Sequence, residues 1–337
     1  MAGNVQTSSF VWRMLSGAWG VVQGIDPLWL LPEWLKTMVV YSLSCALFMG
    51  SGVAALLYFN QNRMLYHPQL PNLPRDQREN PENYRDPGEW GMPYEDVEVV
   101  AADDTRLHCW MIKAERSSER PTIIFFQENA GNMGFRLPPM NALWKHLGVN
   151  LFMVSYRGYG RSEGTPTEAG IKLDAEAVLQ HVAQRKDVDR TRIVLLGKSL
   201  GGAVAVYVAD KLPQHVKGII LENTFTSIPD MVDVVLPLVA PMKSLVLRID
   251  WSTISAIPRI TAPILFVSGL LDELVPPTHM RALYDAATKS LSRTFHAVPN
   301  GMHNDTSMRD PTYIATLKAW MEKIGCGDDS PPSPKGA

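Results

Sequence analysis

The segment GKSLGG at residues 197–202 constrains the fold of this chain more than any other feature of its sequence. It follows the apolar run RIVLLG and opens AVAVYVADKL, whose composition favours a helix. A Gly-x-Ser-x-Gly pattern between a strand and a helix is typical of a nucleophile elbow, a turn so tight that only small residues fit beside the serine. We therefore predict that Gly197 and Gly201 provide the room for this turn. Ser199 would then stand at the N-terminus of a helix, where backbone amides favour a developing anion.

Short apolar runs alternate with segments of helical period along most of the chain. Such uninterrupted runs are typical of strands in a parallel sheet that helices cover on both faces. The preceding segment, YEDVEVVAADDTRLHCWMIKA, has a period of two and predicts an antiparallel hairpin that turns at residues 102–105. The sequence thus predicts an α/β fold with a mostly parallel sheet and an antiparallel edge. The apolar runs are TIIFF (122–126), NLFMVSY (150–156), RIVLLG (192–197), KGIILEN (217–223), APILFVSG (262–269) and TFHAV (294–298).

The alternation is interrupted between Ser227 and Ile260 by a segment that contains VVLPLVAPMKSLVL and several prolines. Long loops in compact domains are usually functional, so we interpret residues 227–260 as a small helical lid, with a plain surface connection as the alternative. The domain that carries this lid would extend over residues 93–324. The polar, proline-rich residues 325–337 are expected to be a disordered tail.

The stretch TMVVYSLSCALFMGSGVAALLYF at residues 37–59 carries no charged side chain. As a helix it would extend about 35 Å, enough to cross the hydrocarbon core of a membrane. It starts too late and is too long for a typical cleaved signal peptide, and a buried core helix of this length would be unusual. We therefore predict a transmembrane anchor at 37–59, with an interfacial, tryptophan-rich segment before it (1–36) and a polar, proline-rich tether after it (60–92).

The predicted nucleophile needs a base to remove its proton and an acid to orient that base. In a fold of this kind the order along the chain is serine, acid and histidine. Asp272 follows the run APILFVSG, and His303 lies in the loop VPNGMHNDT after the last run. The other seven histidines lie on predicted helices, within strands or near the N-terminal region, and we interpret them as structural or solvated. Ser199, Asp272 and His303 are therefore the predicted catalytic triad, with Glu222 and Glu273 as the alternative acids.

An oxyanion hole would need two backbone donors beside the serine. One should be the amide of Leu200, the residue after the predicted nucleophile. The other should come from the loop QENAGN, which follows the run TIIFF. We predict Asn129 as this second donor, with Ala130 as the alternative.

Charge and cysteine content exclude several other classes of function. The net charge is −2 and no long basic run is present, so no nucleic-acid partner is expected. The three cysteines, Cys45, Cys109 and Cys326, form no CxxC pair, so neither a zinc site nor a disulfide framework is predicted. The acyl-transfer chemistry of a serine triad needs no metal or cofactor, and none is expected.

Six motifs together resemble the family of α/β-hydrolase domain-containing protein 13 and its fungal bud-emergence relatives. The resemblance covers residues 37–324 and implies the α/β-hydrolase fold, a single membrane span and the same serine, aspartate and histidine. Relatives in the wider group remove palmitate from protein cysteines, so protein depalmitoylation is implied here by analogy. The motifs are NAGN (129–132), YRGYGRSEG (156–164), GKSLGG (197–202), ENTF (222–225), SGLLDELVPP (268–277) and GMHNDT (301–306).

The chain departs from this family pattern where Gln127-Glu128 replaces the usual His-Gly beside the predicted oxyanion hole. Glycine lets the backbone bend freely, whereas a glutamate that faced inward would oppose a developing oxyanion. Because burying an unpaired carboxylate is costly, we expect the side chain of Glu128 to point outward.

These features predict a membrane-anchored serine hydrolase that cleaves an ester or thioester in a lipid or an acylated substrate. The alternatives are a non-catalytic membrane adaptor on the same fold and a peptidase. The endoplasmic reticulum or the plasma membrane is the expected location. Arg63, Arg75 and Arg78 follow the anchor and favour a cytosolic domain, whereas the family resemblance implies the opposite side. The sequence does not indicate the oligomeric state.

Overall fold

A computed structural model describes residues 32–327, which divide into two units between Tyr58 and Phe59. The predicted interfacial segment 1–36 lies almost entirely outside the described residues, as does most of the predicted tail 325–337.

Of the described residues, the first unit contains 32–58, and nearly all of these lie in helix α1 (Glu33–Leu65), which extends beyond Tyr58. This helix is long and apolar enough to cross a membrane. The helix contains the whole predicted anchor but does not end with it at Phe59. The four residues after Phe59 are polar, yet no proline or glycine occurs before Pro68, so nothing in the sequence ends the helix at Phe59. The start of the predicted tether is therefore helical.

The remainder of the tether packs within the second unit, which begins at Phe59. Tyr66 is buried, and its hydroxyl accepts a hydrogen bond of 2.8 Å from the indole N–H of Trp251. The amide of His67 donates to the carbonyl of Asn129 at 2.9 Å. Two short 3₁₀ helices follow, at Gln77–Glu79 and Pro87–Trp90.

The second unit is built on a sheet of eight described strands, which are β1 (Tyr94–Val100), β2 (Arg106–Ile112), β3 (Thr122–Phe126), β4 (Asn150–Val154), β5 (Ile193–Lys198), β6 (Gly218–Glu222), β7 (Ile264–Gly269) and β8 (Arg293–Val298). Their order across the sheet is β1-β2-β4-β3-β5-β6-β7-β8. β1 and β2 form the predicted antiparallel hairpin, and β2 is also antiparallel to β4. The other neighbouring strands are parallel. The predicted α/β fold with a mostly parallel sheet is confirmed.

Helices cover both faces of this sheet, because successive side chains of a buried strand point to opposite sides. On β5, Leu195 belongs to the core on one face and Leu196 to the core on the other. The first face is covered by α3 (Glu168–Gln184) and α4 (Leu200–Lys211), and the second by α2 (Leu137–Leu147) and α10 (Tyr313–Lys323). The helices are α2 (Leu137–Leu147), α3 (Glu168–Gln184), α4 (Leu200–Lys211), α5 (Ile228–Val235), α6 (Lys243–Val246), α7 (Thr253–Ala256), α8 (Pro277–Ala286), α9 (Thr306–Arg309) and α10 (Tyr313–Lys323).

The segment predicted as a lid, residues 227–260, contains α5, α6 and α7. Ser227 caps α5, since its side chain accepts the amide of Asp230. Gln61 holds the part of this segment that follows α6: its side chain donates to the carbonyl of Val246 at 3.1 Å and accepts the amide of Arg248 at 2.7 Å. The segment exposes large apolar side chains, most of all Leu238 at 93% and Leu245 at 77%.

Candidate active site

Ser199 occupies a strained turn between the end of β5 and the start of α4. Its backbone has φ 52° and ψ −119°, a conformation that costs a residue with a side chain roughly 1–3 kcal/mol. Neighbouring elements hold the turn in place. The amide of Ser199 donates to the carbonyl of Glu222 at 2.9 Å, and the hydroxyl of Thr224 donates to the carbonyl of Ser199 at 2.7 Å.

Small residues beside the serine are required by close backbone contacts. A Cβ on Gly197 would lie 2.2 Å from the carbonyl oxygen of Gly201. A Cβ on Gly201 would lie 1.9 Å from the carbonyl oxygen of Phe126, at the end of β3. The start of α4 can therefore approach the sheet only because these positions carry no side chain.

The side chains of Ser199, His303 and Asp272 form a continuous chain of hydrogen bonds. Nε2 of His303 lies 3.1 Å from Oγ of Ser199, and Nδ1 lies 2.8 Å from Oδ2 of Asp272. The other carboxylate oxygen of Asp272 accepts the amides of Leu274 at 2.9 Å and Val275 at 2.7 Å. All three side chains are buried. Such an arrangement can activate a hydroxyl as a nucleophile.

The two alternative acids have other contacts. Glu273 accepts the backbone amide of His303 at 3.1 Å. Glu222 ends β6 and accepts the hydroxyl of Tyr313 at 2.7 Å. The hydrogen-bond partner of the imidazole Nδ1 is Asp272.

Asn223 supports the histidine loop, a role that sequence reasoning missed. Its side-chain amide donates to the carbonyl of His303 at 3.2 Å and to the hydroxyl of Thr306 at 2.8 Å. Its side-chain oxygen accepts the amide of Gly269 at 2.8 Å, which links the loop to the end of β7. Asn223 belongs to the ENTF motif, and its positive φ of 46° suits an asparagine at the end of a strand.

The two predicted oxyanion donors belong to different elements, the start of α4 and the loop after β3. Leu200 is the first residue of α4, so its amide is among those that a helix leaves without an intrahelical acceptor. Asn129 follows β3, and its side chain donates to the carbonyl of Leu65 at 2.7 Å. Its own carbonyl accepts the amide of His67 at 2.9 Å and the hydroxyl of Tyr159 at 2.6 Å. These contacts fix the backbone of the loop next to Ser199.

The expectation that Glu128 points outward was wrong. Glu128 is 5% exposed, and its carboxylate lies 2.8 Å from Nε of Arg136 and 3.3 Å from Nζ of Lys198. Burial alone would raise the pKa of Glu128, but Arg136 and Lys198 outweigh it and hold this pKa below its ordinary value. The carboxylate is therefore buried as an anion with two cationic partners, whose attraction offsets the cost that favoured an outward position.

Gln127, the other departure from the family pattern, is fully buried. Its carbonyl accepts the hydroxyl of Tyr156 at 3.0 Å. Within residues 32–327, neither polar atom of its side-chain amide has a hydrogen-bond partner. Together with Tyr159, Tyr156 ties the YRGYGRSEG segment to the loop after β3.

Comparison with known proteins identifies the class. The model of the alpha/beta hydrolase fold family matches residues 123–244. The esterase Pf2001 of Pyrococcus furiosus superposes with a TM-score of 0.59 at 17% identity, over 71% of this chain and 94% of that one. Together with the strand order, these matches define the chain as an α/β-hydrolase, and the fold supports a hydrolase function.

Two curated relatives identify the family. The chain is 45% identical over 286 residues to alpha/beta hydrolase domain-containing protein WAV2 of Arabidopsis thaliana, which covers 81% of this chain and 91% of that protein. It is 38% identical over 283 residues to protein bem46 of Schizosaccharomyces pombe. That alignment covers 80% of this chain and 92% of bem46. The chain belongs to this family of bem46-related α/β-hydrolases, as its motifs predicted.

Proposed function

We propose that this protein is a serine hydrolase that cleaves an ester or thioester through an acyl-enzyme on Ser199. The observation that carries the proposal is the buried hydrogen-bond chain from Asp272 through His303 to Oγ of Ser199. Membership of a hydrolase family and the strained turn at Ser199 support it.

In this mechanism His303 takes the proton of the Ser199 hydroxyl as Oγ attacks the substrate carbonyl carbon. The amides of Leu200 and Asn129 bind the oxyanion of the tetrahedral intermediate. His303 then gives its proton to the leaving alcohol or thiol as the bond to that group breaks. A water molecule, deprotonated by His303, then attacks the acyl-enzyme in the same way, and the carboxylic acid is released as Oγ of Ser199 regains its proton. Asp272 orients the imidazole and stabilises its charged form.

We propose in addition that α1 anchors the enzyme in a membrane. The helix is long and apolar enough for this, and its residues from 38 to 59 include many exposed large apolar side chains. Such a surface is costly in water and favourable in lipid. The cations after the span favour a cytosolic domain.

The substrate we propose is a lipid ester or an acylated protein cysteine. The lid segment exposes several large apolar side chains, among them Leu238 and Leu245, and an apolar substrate could bind against such side chains. Protein depalmitoylation requires in addition that the domain faces the cytosol. Protease digestion of sealed microsomes with a C-terminal tag tests this: an accessible tag supports it, and a protected tag excludes it.

Hydrolysis of a matched set of substrates tests the proposed activity. The full chain in detergent micelles is given p-nitrophenyl esters and acyl-cysteine peptides with acyl chains of increasing length. Release of the acyl acid by the wild type but not by Ser199→Ala supports the proposal. Equal release by the two proteins, or cleavage of peptide amides in preference to esters, would overturn it.

A further inference from the structure

Lys198, the residue between Gly197 and the proposed nucleophile, contacts two buried carboxylates. The register of β5 and β6 places Lys198 beside Glu222, and Nζ lies 3.6 Å from Oε1 of Glu222. Nζ also lies 3.3 Å from Oε1 of Glu128. The lysine side chain is only 12% exposed, so this contact is largely removed from water.

Each of the two carboxylates that contact Lys198 has a further side-chain partner. Arg136 lies 2.8 Å from Glu128 and also donates to the carbonyl of Ala130 at 2.8 Å. At the other end the hydroxyl of Tyr313 donates to Glu222. We refer to Glu128, Arg136, Lys198, Glu222 and Tyr313 as the Lys198 network.

The charges of the Lys198 network alternate and cancel. Arg136 and Lys198 are cations, and Glu128 and Glu222 lie beside them as anions. Burial would lower the pKa of Lys198, but Glu222 and Glu128 outweigh it and raise this pKa above its ordinary value. Apolar side chains of similar size can fill such a space without the cost of desolvating four charges. Unlike apolar packing, a network of ion pairs can fix the relative positions of the elements that it joins.

The elements joined by the network are the ones that carry the reaction. Glu128 and Ala130 flank Asn129 in the loop after β3. Lys198 directly precedes Ser199, and its Nζ donates to the carbonyl of Asn304, which directly follows His303. Its ammonium group therefore contacts the oxyanion loop, the end of β6 and the histidine loop, while its backbone belongs to the nucleophile turn.

We propose that Lys198 is a positioning residue, which holds these three segments in register through the Lys198 network. The proposal rests on the proposed function, since it concerns the same site. Lys198 acts through the backbone next to Ser199, His303 and Asn129 and does not contact the reacting atoms. Catalytic groups must keep their relative positions to within about 0.5 Å, and a displacement of about 1 Å can cost 10²-fold in rate.

Lys198→Met tests this directly, because methionine keeps much of the length of the side chain and removes the charge. We expect kcat to fall by about 10- to 100-fold with KM changed by less than about threefold. The matched control is Lys113→Met. Lys113 also contacts two carboxylates, Glu95 at 3.2 Å and Asp187 at 2.8 Å, but it follows the end of β2, away from the triad. Its substitution should leave kcat and KM unchanged.

Glu128→Gln and the double variant Glu128→Gln/Lys198→Met, together with Lys198→Met and the wild type, form a double-mutant cycle in which kcat is measured. If the two residues act through one network, the double variant should be no slower than the slower single variant. Multiplication of the two single effects would mean that they act independently.

Hydrogen exchange of the full chain in nanodiscs gives a readout that does not depend on activity. In Lys198→Met, amides of the segments 127–132 and 301–306 should exchange faster, while those of β1 and β2 should not. Lys113→Met should change neither loop segment. Faster exchange throughout Lys198→Met would reduce the role of Lys198 to general stability and overturn the proposal.

Wild-type kcat together with unchanged loop exchange in Lys198→Met would also overturn it. If the wild type hydrolyses none of the esters or thioesters but the exchange results are as expected, Lys198 does position the segments 127–132 and 301–306, and only the proposed function is refuted.

Discussion

Asp272→Asn is the substitution for which the structure gives the most specific expectation. One carboxylate oxygen of Asp272 accepts two backbone amides, from Leu274 and Val275. The other oxygen lies 2.8 Å from Nδ1 of His303. Asparagine has nearly the same shape, so the fold should be retained while the hydrogen-bond pattern changes.

The two backbone amides decide how the new side chain is oriented. Asparagine has a single acceptor oxygen, and that oxygen is required by the amides of Leu274 and Val275. Its NH₂ group must then face Nδ1 of His303, which has to accept a hydrogen bond. The proton of the neutral imidazole moves to Nε2, the atom 3.1 Å from Oγ of Ser199. In this tautomer His303 cannot take the proton of the serine.

The wrong tautomer in a serine triad lowers kcat by about 10⁴-fold, or about 5.5 kcal/mol in the barrier. We expect a loss of this size for Asp272→Asn, measured as kcat on a p-nitrophenyl ester with the full chain in detergent. Glu273→Gln is the control. Glutamine keeps an oxygen that can accept the amide of His303, so its kcat should stay within about threefold of the wild type. If Asp272→Asn kept more than a tenth of the wild-type kcat while Glu273→Gln lost activity, the acid would have been assigned to the wrong residue.

Glu128→Gly should lower the free energy of unfolding by about 3 kcal/mol, because Arg136 and Lys198 each lose a buried partner. Thermal unfolding measures this, with Glu98→Gln in an exposed pair as a control that should change little; an unchanged midpoint for Glu128→Gly would contradict the expectation. Gly201→Ala should abolish activity, because its Cβ would lie 1.9 Å from a backbone oxygen. Gly50→Ala, with open space around its Cβ, should have no effect, and an active Gly201→Ala enzyme would refute the assigned role of the turn. Removal of residues 1–58 should release the protein from carbonate-washed membranes, and full retention would indicate a second membrane-binding element.

The fold could be predicted because its strands are uninterrupted apolar runs. TIIFF is strand β3 without a change of boundary, and the other runs differ from their strands by one or two residues at an end. Buried strands of a parallel sheet need apolar side chains on both faces, so the sequence marks them clearly. The chain order of the triad residues could be predicted for a related reason, since each follows a recognisable strand.

The surroundings of the site could not be predicted in the same way. The position of Glu128 depends on Arg136 and Lys198, which belong to other elements and meet it only in the folded chain. A rule about the cost of an unpaired carboxylate cannot anticipate such partners. The role of Asn223 could not be seen in the sequence, because the end of β6, the end of β7 and the histidine loop come together only through tertiary contacts. The continuation of α1 beyond Phe59 is not evident from the sequence, because the apolar run ends there while polar residues such as asparagine, glutamine and arginine are still tolerated in a helix.

Covalent labelling with a fluorophosphonate shows most directly whether Ser199 is the nucleophile. The full chain in its membrane is treated with the reagent, and the site of the adduct is mapped by peptide mass spectrometry. We predict one adduct on Ser199 in the wild type, no adduct in Ser199→Ala, and labelling of His303→Ala slowed by several orders of magnitude because the base is missing. Equal labelling of the wild type and Ser199→Ala, or an adduct on another residue while Ser199 stays unmodified, would contradict the claim.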